Sequence, residues 1–283
     1  MEAFAGIPEA YRNYESSKIA VLPVPYDKTS TWVKGSDKGP EALLDASVAL
    51  EWYDIETKTE VYKRGIYTAD PVTENKTPEV LCDAVDNRVS ALLNDGKFPV
   101  TIGGNHTVSI GAFRAMSRKY KNLTILQLDA HSDLRDTYEG STLNHACVMY
   151  NASKMCPITQ VGIRSMCVEE LGNFDESRIF YAHKIYNNDL WQEKAISTLS
   201  ENVYVTIDLD VFDPSVLPST GTPEPGGLNY YQVLHFLRSV FYNRNVVGFD
   251  IVELCPNPNE RASDFLAARL AYQLMTYRFE KCL

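Results

Sequence analysis

Three short segments of this chain supply two histidines and four aspartates: Gly103-Gly104-Asn105-His106, Asp129-Ala130-His131-Ser132-Asp133 and Asp208-Leu209-Asp210. Each follows an apolar, β-branched run, Phe98 to Ile102, Leu123 to Leu128 and Val203 to Ile207. Side chains alternate faces along a strand, so an extended chain places Asp129, His131 and Asp133 on one side, and Asp208 with Asp210 likewise. Six nitrogen and oxygen donors at the ends of three strands exceed what one ion needs and suit a two-metal site. Imidazole and carboxylate without thiolate favour a hard or borderline divalent ion, Mn²⁺ most naturally, although Zn²⁺, Fe²⁺ and Co²⁺ use the same groups. Two ions about 3.5 Å apart, bridged by carboxylate, would bring a shared water's pKa toward neutrality, so the expected chemistry is hydrolysis by a metal-bound hydroxide.

Taken singly, Gly-Gly-Asn-His is also an ordinary turn composition. The carboxylates are harder to explain away. They follow directly on Ile125-Leu126-Gln127-Leu128 and on the run ending at Ile207. A buried carboxylate is costly unless it is paired or holds a metal.

The elements that must position these residues alternate along the chain. Strand candidates begin at Ile19, Val61, Phe98, Leu123, Ile158, Ile179, Val203 and Val246. Helix candidates span Pro78 to Asn94, Thr107 to Tyr120, Leu190 to Ser200, Tyr230 to Tyr242 and Ser263 to Tyr277. The first has Thr77 as N-cap and Pro78 at its first position. Near-continuous apolar strands separated by helices predict an α/β fold, a three-layer α/β/α sandwich on a mostly parallel, roughly eight-stranded sheet. No linker, charge block or repeat divides the chain, so residues 1–283 read as one domain. The irregular stretches Leu134 to Asn144 and Asp213 to Asn229 follow ligand segments, and ligands sit at the carboxyl ends of strands in such sheets. These loops are the expected rim of the site.

The composition, 45% hydrophobic and 23% charged over 283 residues, is that of a globular protein. A formal net charge of -10 with no basic run argues against nucleic acid as partner and agrees with a small cationic one. No apolar stretch is long enough to span a membrane. The six cysteines have neither zinc-site nor disulfide-framework spacing, and no signal-peptide pattern opens the chain, so free thiols and a cytoplasmic location are expected.

Gly-Gly-X-His, Asp-Ala-His-X-Asp and Thr206-Ile-Asp-Leu-Asp-Val-Phe-Asp-Pro214 resemble, in order and spacing, the ureohydrolase family of arginases and agmatinases. Gly221-Thr-Pro-Glu-Pro-Gly-Gly227 and Asp250-Ile-Val-Glu-Leu-Cys-Pro256 extend the resemblance over nearly the whole chain. It implies a dinuclear manganese enzyme, with two Mn²⁺ per subunit, that hydrolyses a guanidinium to urea and an amine. By that resemblance His106, Asp129, Asp133 and Asp208 hold one ion. Asp129, His131, Asp208 and Asp210 hold the other, and Asp129 and Asp208 bridge. Glu253 matches the glutamate that orients the guanidinium, a task suited to a bidentate acceptor. His145 matches a histidine that shuttles protons to the leaving amine, a role for which imidazole is suited near neutral pH. His183 and His235 match no motif. The chain departs from the family pattern at Asn105, where many members carry an acidic residue, and at Asn144, where a small residue often precedes the loop histidine. Relatives assemble as trimers or hexamers, which implies a homo-oligomer.

The loop Leu134-Arg-Asp-Thr-Tyr-Glu-Gly140 resembles the agmatinase branch, and Glu224 stands where arginases carry an apolar residue. Asp136, Glu139 or Glu224 would attract a cationic tail and repel a carboxylate. Agmatine, giving putrescine and urea in polyamine biosynthesis, is therefore the expected substrate. Alternatives are another guanidino or formimino compound such as arginine or guanidinobutyrate, which Arg135 would favour if it carries a carboxylate, and a metal-binding homologue without catalysis.

Overall fold

A computed structural model describes residues 2–188 and 190–280. Its centre is an eight-stranded sheet of β1 (Ile19–Val24), β2 (Ile66–Thr68), β3 (Phe98–Gly103), β4 (Leu123–Leu128), β5 (Ile158–Val161), β6 (Ile179–Phe180), β7 (Asn202–Asp208) and β8 (Asn245–Val252). Every strand pairing is parallel, in the order β2-β1-β3-β8-β7-β4-β5-β6.

Burial on both faces explains the apolar runs. On one face Ile19, Val21, Val100, Val205 and Phe249 pack with residues of α1 (Gly39–Ser47), α6 (Trp191–Thr198), α7 (Tyr230–Asn243) and α8 (Ala262–Phe279). On the other, Ala20, Leu22, Ile125 and Tyr204 meet α2 (Pro78–Asn94), α3 (Ser109–Lys119) and α4 (Val148–Ser153). A short α5 (Ala182–Ile185) follows β6. The expected three-layer sandwich is what forms, and its sheet is wholly parallel.

Helix α2 has the predicted bounds, and the Thr77 side chain accepts from the Val80 N–H as its cap. Helix α7 begins with a reciprocal pair in which Asn229 and Gln232 satisfy each other's backbone N–H. Helices α1, α4 and α5 were not anticipated from periodicity; α4 and α5 span 6 and 4 residues, too few to show one. The strand expected from Val61 begins only at Ile66: Val61–Arg64 is a 3-10 turn, closed by the Gly65 N–H on the Tyr62 carbonyl. Gly65 has φ 76, which glycine adopts without strain and which breaks an extended run.

One irregularity positions the site. Val203 pairs with Val246 but Tyr204 pairs with Gly248, so β8 carries an extra residue there. The bulge advances the register so that Thr206 faces Asp250 and Asp208 faces Val252. Without it Thr206 would face Phe249.

Candidate metal centre and its cavity

The ligand segments leave the carboxyl ends of β3, β4 and β7, and Glu253 follows β8 directly. In the sheet these four strands are consecutive, β3-β8-β7-β4. After β3 the chain turns at Gly104, where a Cβ would lie 2.0 Å from the Tyr26 carbonyl oxygen. Only glycine fits against that backbone. His106 then opens a short 3-10 turn capped by the Asn105 side chain, which accepts from the Thr107 N–H.

The alternation argument for the other ligands does not hold in detail. Strand β4 ends at Leu128, and Asp133 has φ 53, a left-handed conformation inside a loop. Asp210 lies in a 3-10 turn, Leu209–Val211, after β7 has ended. Turns gather these side chains. The Asp129 carboxylate accepts the His131 N–H at 2.6 Å, and the Asp208 carboxylate accepts the Asp210 N–H at 2.9 Å.

The described ligands form two groups, His106/Asp129/Asp208 and Asp129/His131/Asp210, each with ligand atoms within 4.8 Å of one another and with Asp129 in both. Around His106 Nδ1 stand carboxylate oxygens of Asp129 at 3.2 Å, Asp133 at 3.1 Å and Asp208 at 3.5 Å. That nitrogen is buried and makes no well-formed hydrogen bond. A buried ring nitrogen with three carboxylates around it and no hydrogen-bond partner fits a divalent cation among oxygen and nitrogen donors. The other nitrogen is tied back. His106 Nε2 lies 2.9 Å from Thr206 Oγ1, which donates to Asp250 at 2.6 Å, and the Tyr204 hydroxyl donates to the other Asp250 oxygen at 2.9 Å. This chain leaves Nδ1 to face the acids.

His131 Nδ1 lies 2.8 Å from Asp210, whose other oxygen accepts from the Ala130 N–H at 2.9 Å. Gln127 donates to Asp129 at 2.7 Å and is itself held by Gln160 at 2.5 Å. The buried Glu170 accepts from the Ser132 hydroxyl and the Leu134 N–H, fixing the ligand loop to the segment after β5.

Crowded, buried carboxylates shift the titrations of the cluster. Burial, Asp210 and Asp133 raise Asp129 to about 7. Burial and the neighbouring aspartates hold Asp208 well above the carboxylate range. Burial opposes protonation of both histidines, but the carboxylates outweigh it, taking His131 to about 11 and His106 well above its ordinary value. Asp210 stays low, at about 2, because His131, the Ala130 N–H and Arg164 outweigh burial.

A cavity of about 330 Å³ opens onto the cluster, walled by residues that include Thr31, Arg135, Tyr138, His145, Met166, Cys167, Thr222 and Glu253. Glu253 is held at φ 66, outside the usual range for a side-chain-bearing residue. Its carboxylate accepts the His106 N–H at 2.7 Å, and burial raises it to about 8. His145 Nδ1 is buried without a partner, and burial lowers the imidazole's pKa. Among the acids expected at the substrate tail, Glu224 comes within 3.9 Å of His131 Nε2. Asp136 and Glu139 are exposed on their loop, and none of the three walls the cavity. His183 and His235 are exposed.

Sequence reasoning overlooked Thr206, Asp250, Gln127, Gln160, Arg164 and Glu170. A signal existed for the first four: each is a polar residue inside an otherwise apolar strand, which a buried strand tolerates only with a partner. Cys82, Cys147, Cys156, Cys167 and Cys255 are free, and Cys282 lies outside the described residues. Among the described residues no helix is long and apolar enough to cross a membrane.

A parallel sheet that delivers nitrogen and oxygen donors from strand ends into one buried cluster is the architecture of an α/β protein able to hold metal ions. The Arginase family model matches residues 17–277, and the chain belongs to this family of ureohydrolases. N(1)-aminopropylagmatine ureohydrolase of Synechocystis sp. is 41% identical over 280 residues, covering 95% of this chain and 92% of the relative. Agmatinase of Halalkalibacterium halodurans is 34% identical over 256 residues, 88% of each. The crystal structure of agmatine ureohydrolase of Thermoplasma volcanium superposes with a TM-score of 0.90 at 32% identity, covering 100% of this chain and 96% of that one.

Proposed function

We propose that this chain, as one domain, is a dinuclear-manganese hydrolase that cleaves the guanidinium of agmatine to urea and putrescine. The observation that carries the reading is that the two ligand groups share Asp129 while Glu253 and His145 open onto the same cavity. His106, Asp129, Asp133 and Asp208 would hold one ion, and Asp129, His131, Asp208 and Asp210 the other. Two such ions supply Lewis acidity and water activation when bound. Glu253 accepts the guanidinium N–H groups, with one carboxylate oxygen already fixed by the His106 N–H and the other free to pair with substrate. His145, whose burial favours the neutral form, would first accept a proton released by the attacking water and then pass it to the departing amine. Glu224, just outside the cavity wall and 3.9 Å from His131 Nε2, would offer the cationic tail its counter-charge.

A second reading has a specific observation behind it. The 41% identical relative bears the name of an aminopropylagmatine enzyme, whereas the agmatinase relative is 34% identical. That substrate carries the same guanidinium on a longer polycationic tail. Urea release by the Mn²⁺-loaded protein decides, with agmatine, N(1)-aminopropylagmatine, arginine and 4-guanidinobutyrate compared by kcat/KM. Preference for agmatine supports the first reading and preference for the longer amine the second. Preference for arginine or 4-guanidinobutyrate rejects the cationic-tail argument.

A further inference from the structure

Arg164 lies in the loop that follows β5, and its backbone is anchored, since the Arg164 and Ser165 N–H groups both donate to the Ala130 carbonyl. Its guanidinium then reaches across to two other segments. Nη2 donates to the carbonyls of Asp210 at 2.6 Å, Glu224 at 2.8 Å and Phe212 at 3.3 Å. Nε also reaches Glu224 O at 3.2 Å, and Nη1 reaches Gly162 O at 3.1 Å and Val211 O at 3.5 Å. Every one of these partners is a main-chain carbonyl.

The carbonyls of Asp210, Val211 and Phe212 end the 3-10 turn that carries the ligand Asp210. The final carbonyls of such a turn have no partner within it and present partial negative charge, so they require outside donors. The planar five-donor guanidinium meets several at once; an ammonium has neither the fork nor the span. The same group grips the carbonyl of Glu224, whose side chain lies 3.9 Å from His131 Nε2.

We infer that Arg164 is a positioning residue that ties the His131/Asp210 ligand pair to Glu224 in the 221–227 loop, whose far end is held separately by Asp213, so that retention of one metal ion and the placement of Glu224 both draw on its guanidinium. The inference rests on the metal reading above, and its test needs no turnover. Mn²⁺ titration of metal-free protein, followed by calorimetry, is compared between wild type and Arg164→Lys. The expected result is a loss of about 10- to 100-fold in affinity for one ion, the range for residues that orient ligands, with the other ion unchanged. Equal weakening of both ions, or none in folded protein, overturns the inference. If Arg164 contributed no more than stability, both ions would weaken equally, because global loosening has no preference between them.

Hydrogen exchange on the unaltered chain provides a second test that does not depend on a variant folding. Added Mn²⁺ should slow exchange at Thr222 and Glu224, the amides beside the Arg164 contact and away from the Asp213-held Gly226 and Gly227, together with residues 208–212. Protection confined to 208–212 overturns the link. A wild type that binds no Mn²⁺ at all brings down the metal reading and this inference together, whereas normal binding without urea release rejects only the proposed substrates.

Discussion

The two ligand groups that meet at Asp129 are held in different ways. His106 is fully buried, and its ring is braced from behind by Thr206 and Asp250, side chains of adjacent central strands. His131 keeps a quarter of its side chain exposed, and its partner Asp210 sits on a turn held by Arg164. One half of the centre is fixed by sheet register, the other by turns and by a side chain that gathers carbonyls. Side chains on regular elements hold a site more closely than those on loops, so the His131 half is the adjustable one. It also faces the Glu224 loop.

The strongest way to break this contrast is to remove a ligand from each half. His106→Asn and His131→Asn should each lower kcat/KM for urea release by more than about 100-fold, beyond the range for supporting residues. Excess Mn²⁺ should restore more activity to His131→Asn, because turns rearrange more readily than a sheet. Identical responses to metal would erase the distinction between the halves.

Thr206→Val strikes the brace and not the ligand. It deprives His106 Nε2 and one Asp250 oxygen of their partner. Metal affinity should fall about 10- to 100-fold, and unfolding should cost about 1–3 kcal/mol less, as expected when buried polar groups lose their hydrogen bonds. Denaturant melts and metal titration read the two effects. A stable variant with normal metal binding would show that the sheet does not brace His106.

The pH dependence separates the metal-free and loaded states. Burial raises Asp129 from 3.8 to about 7 and Glu253 from 4.5 to about 8, while carboxylates, against burial, raise His131 from 6.5 to about 11. All three bind protons more tightly when folded. Their contribution to stability is complete below the unfolded values and is lost as pH rises through the folded ones. Asp210, at about 2, loses its contribution only as pH falls through that value. The metal-free Tm should therefore fall between about pH 5 and 9. Metal binding requires deprotonated ligands, so the added stability from Mn²⁺ should grow over the same range. Melts in chelator and in Mn²⁺ test this, and a metal-free Tm that climbs with pH contradicts it.

The smallest effect is expected far from either half. Thr77→Ala removes the cap of α2 and should cost about 1 kcal/mol. Metal affinity and kcat should not change; a change in either would mean that stability of the outer layer reaches the site.

The donor types, their order and the ends of the apolar runs were legible from local pattern alone, because burial of alternating strands and helices writes itself into nearby residues. So was α2, with its Thr77 cap and Pro78 start. The departures at Val61 and at Asp129 to Asp133 came from turns: a 3-10 turn closed at Gly65 delays the strand until Ile66, and β4 ends at Leu128, before the loop in which Asp133 is left-handed. What local pattern could not contain is which strands become neighbours. The order β3-β8-β7-β4 brings together ligands as far apart in sequence as His106 and Asp210, and one bulged residue sets Asp250 against Thr206. Local pattern assigns Glu170 no more than the cap on the Cys167 N–H, and the partners that matter to the site, the Ser132 hydroxyl and Leu134 N–H for Glu170 and the Asp210, Phe212 and Glu224 carbonyls for Arg164, lie in distant segments. The chain's residues determined the ligands and the chemistry open to them, and the tertiary structure decided which are braced by the sheet and which are gathered by turns, because long-range register is set by packing of the whole core.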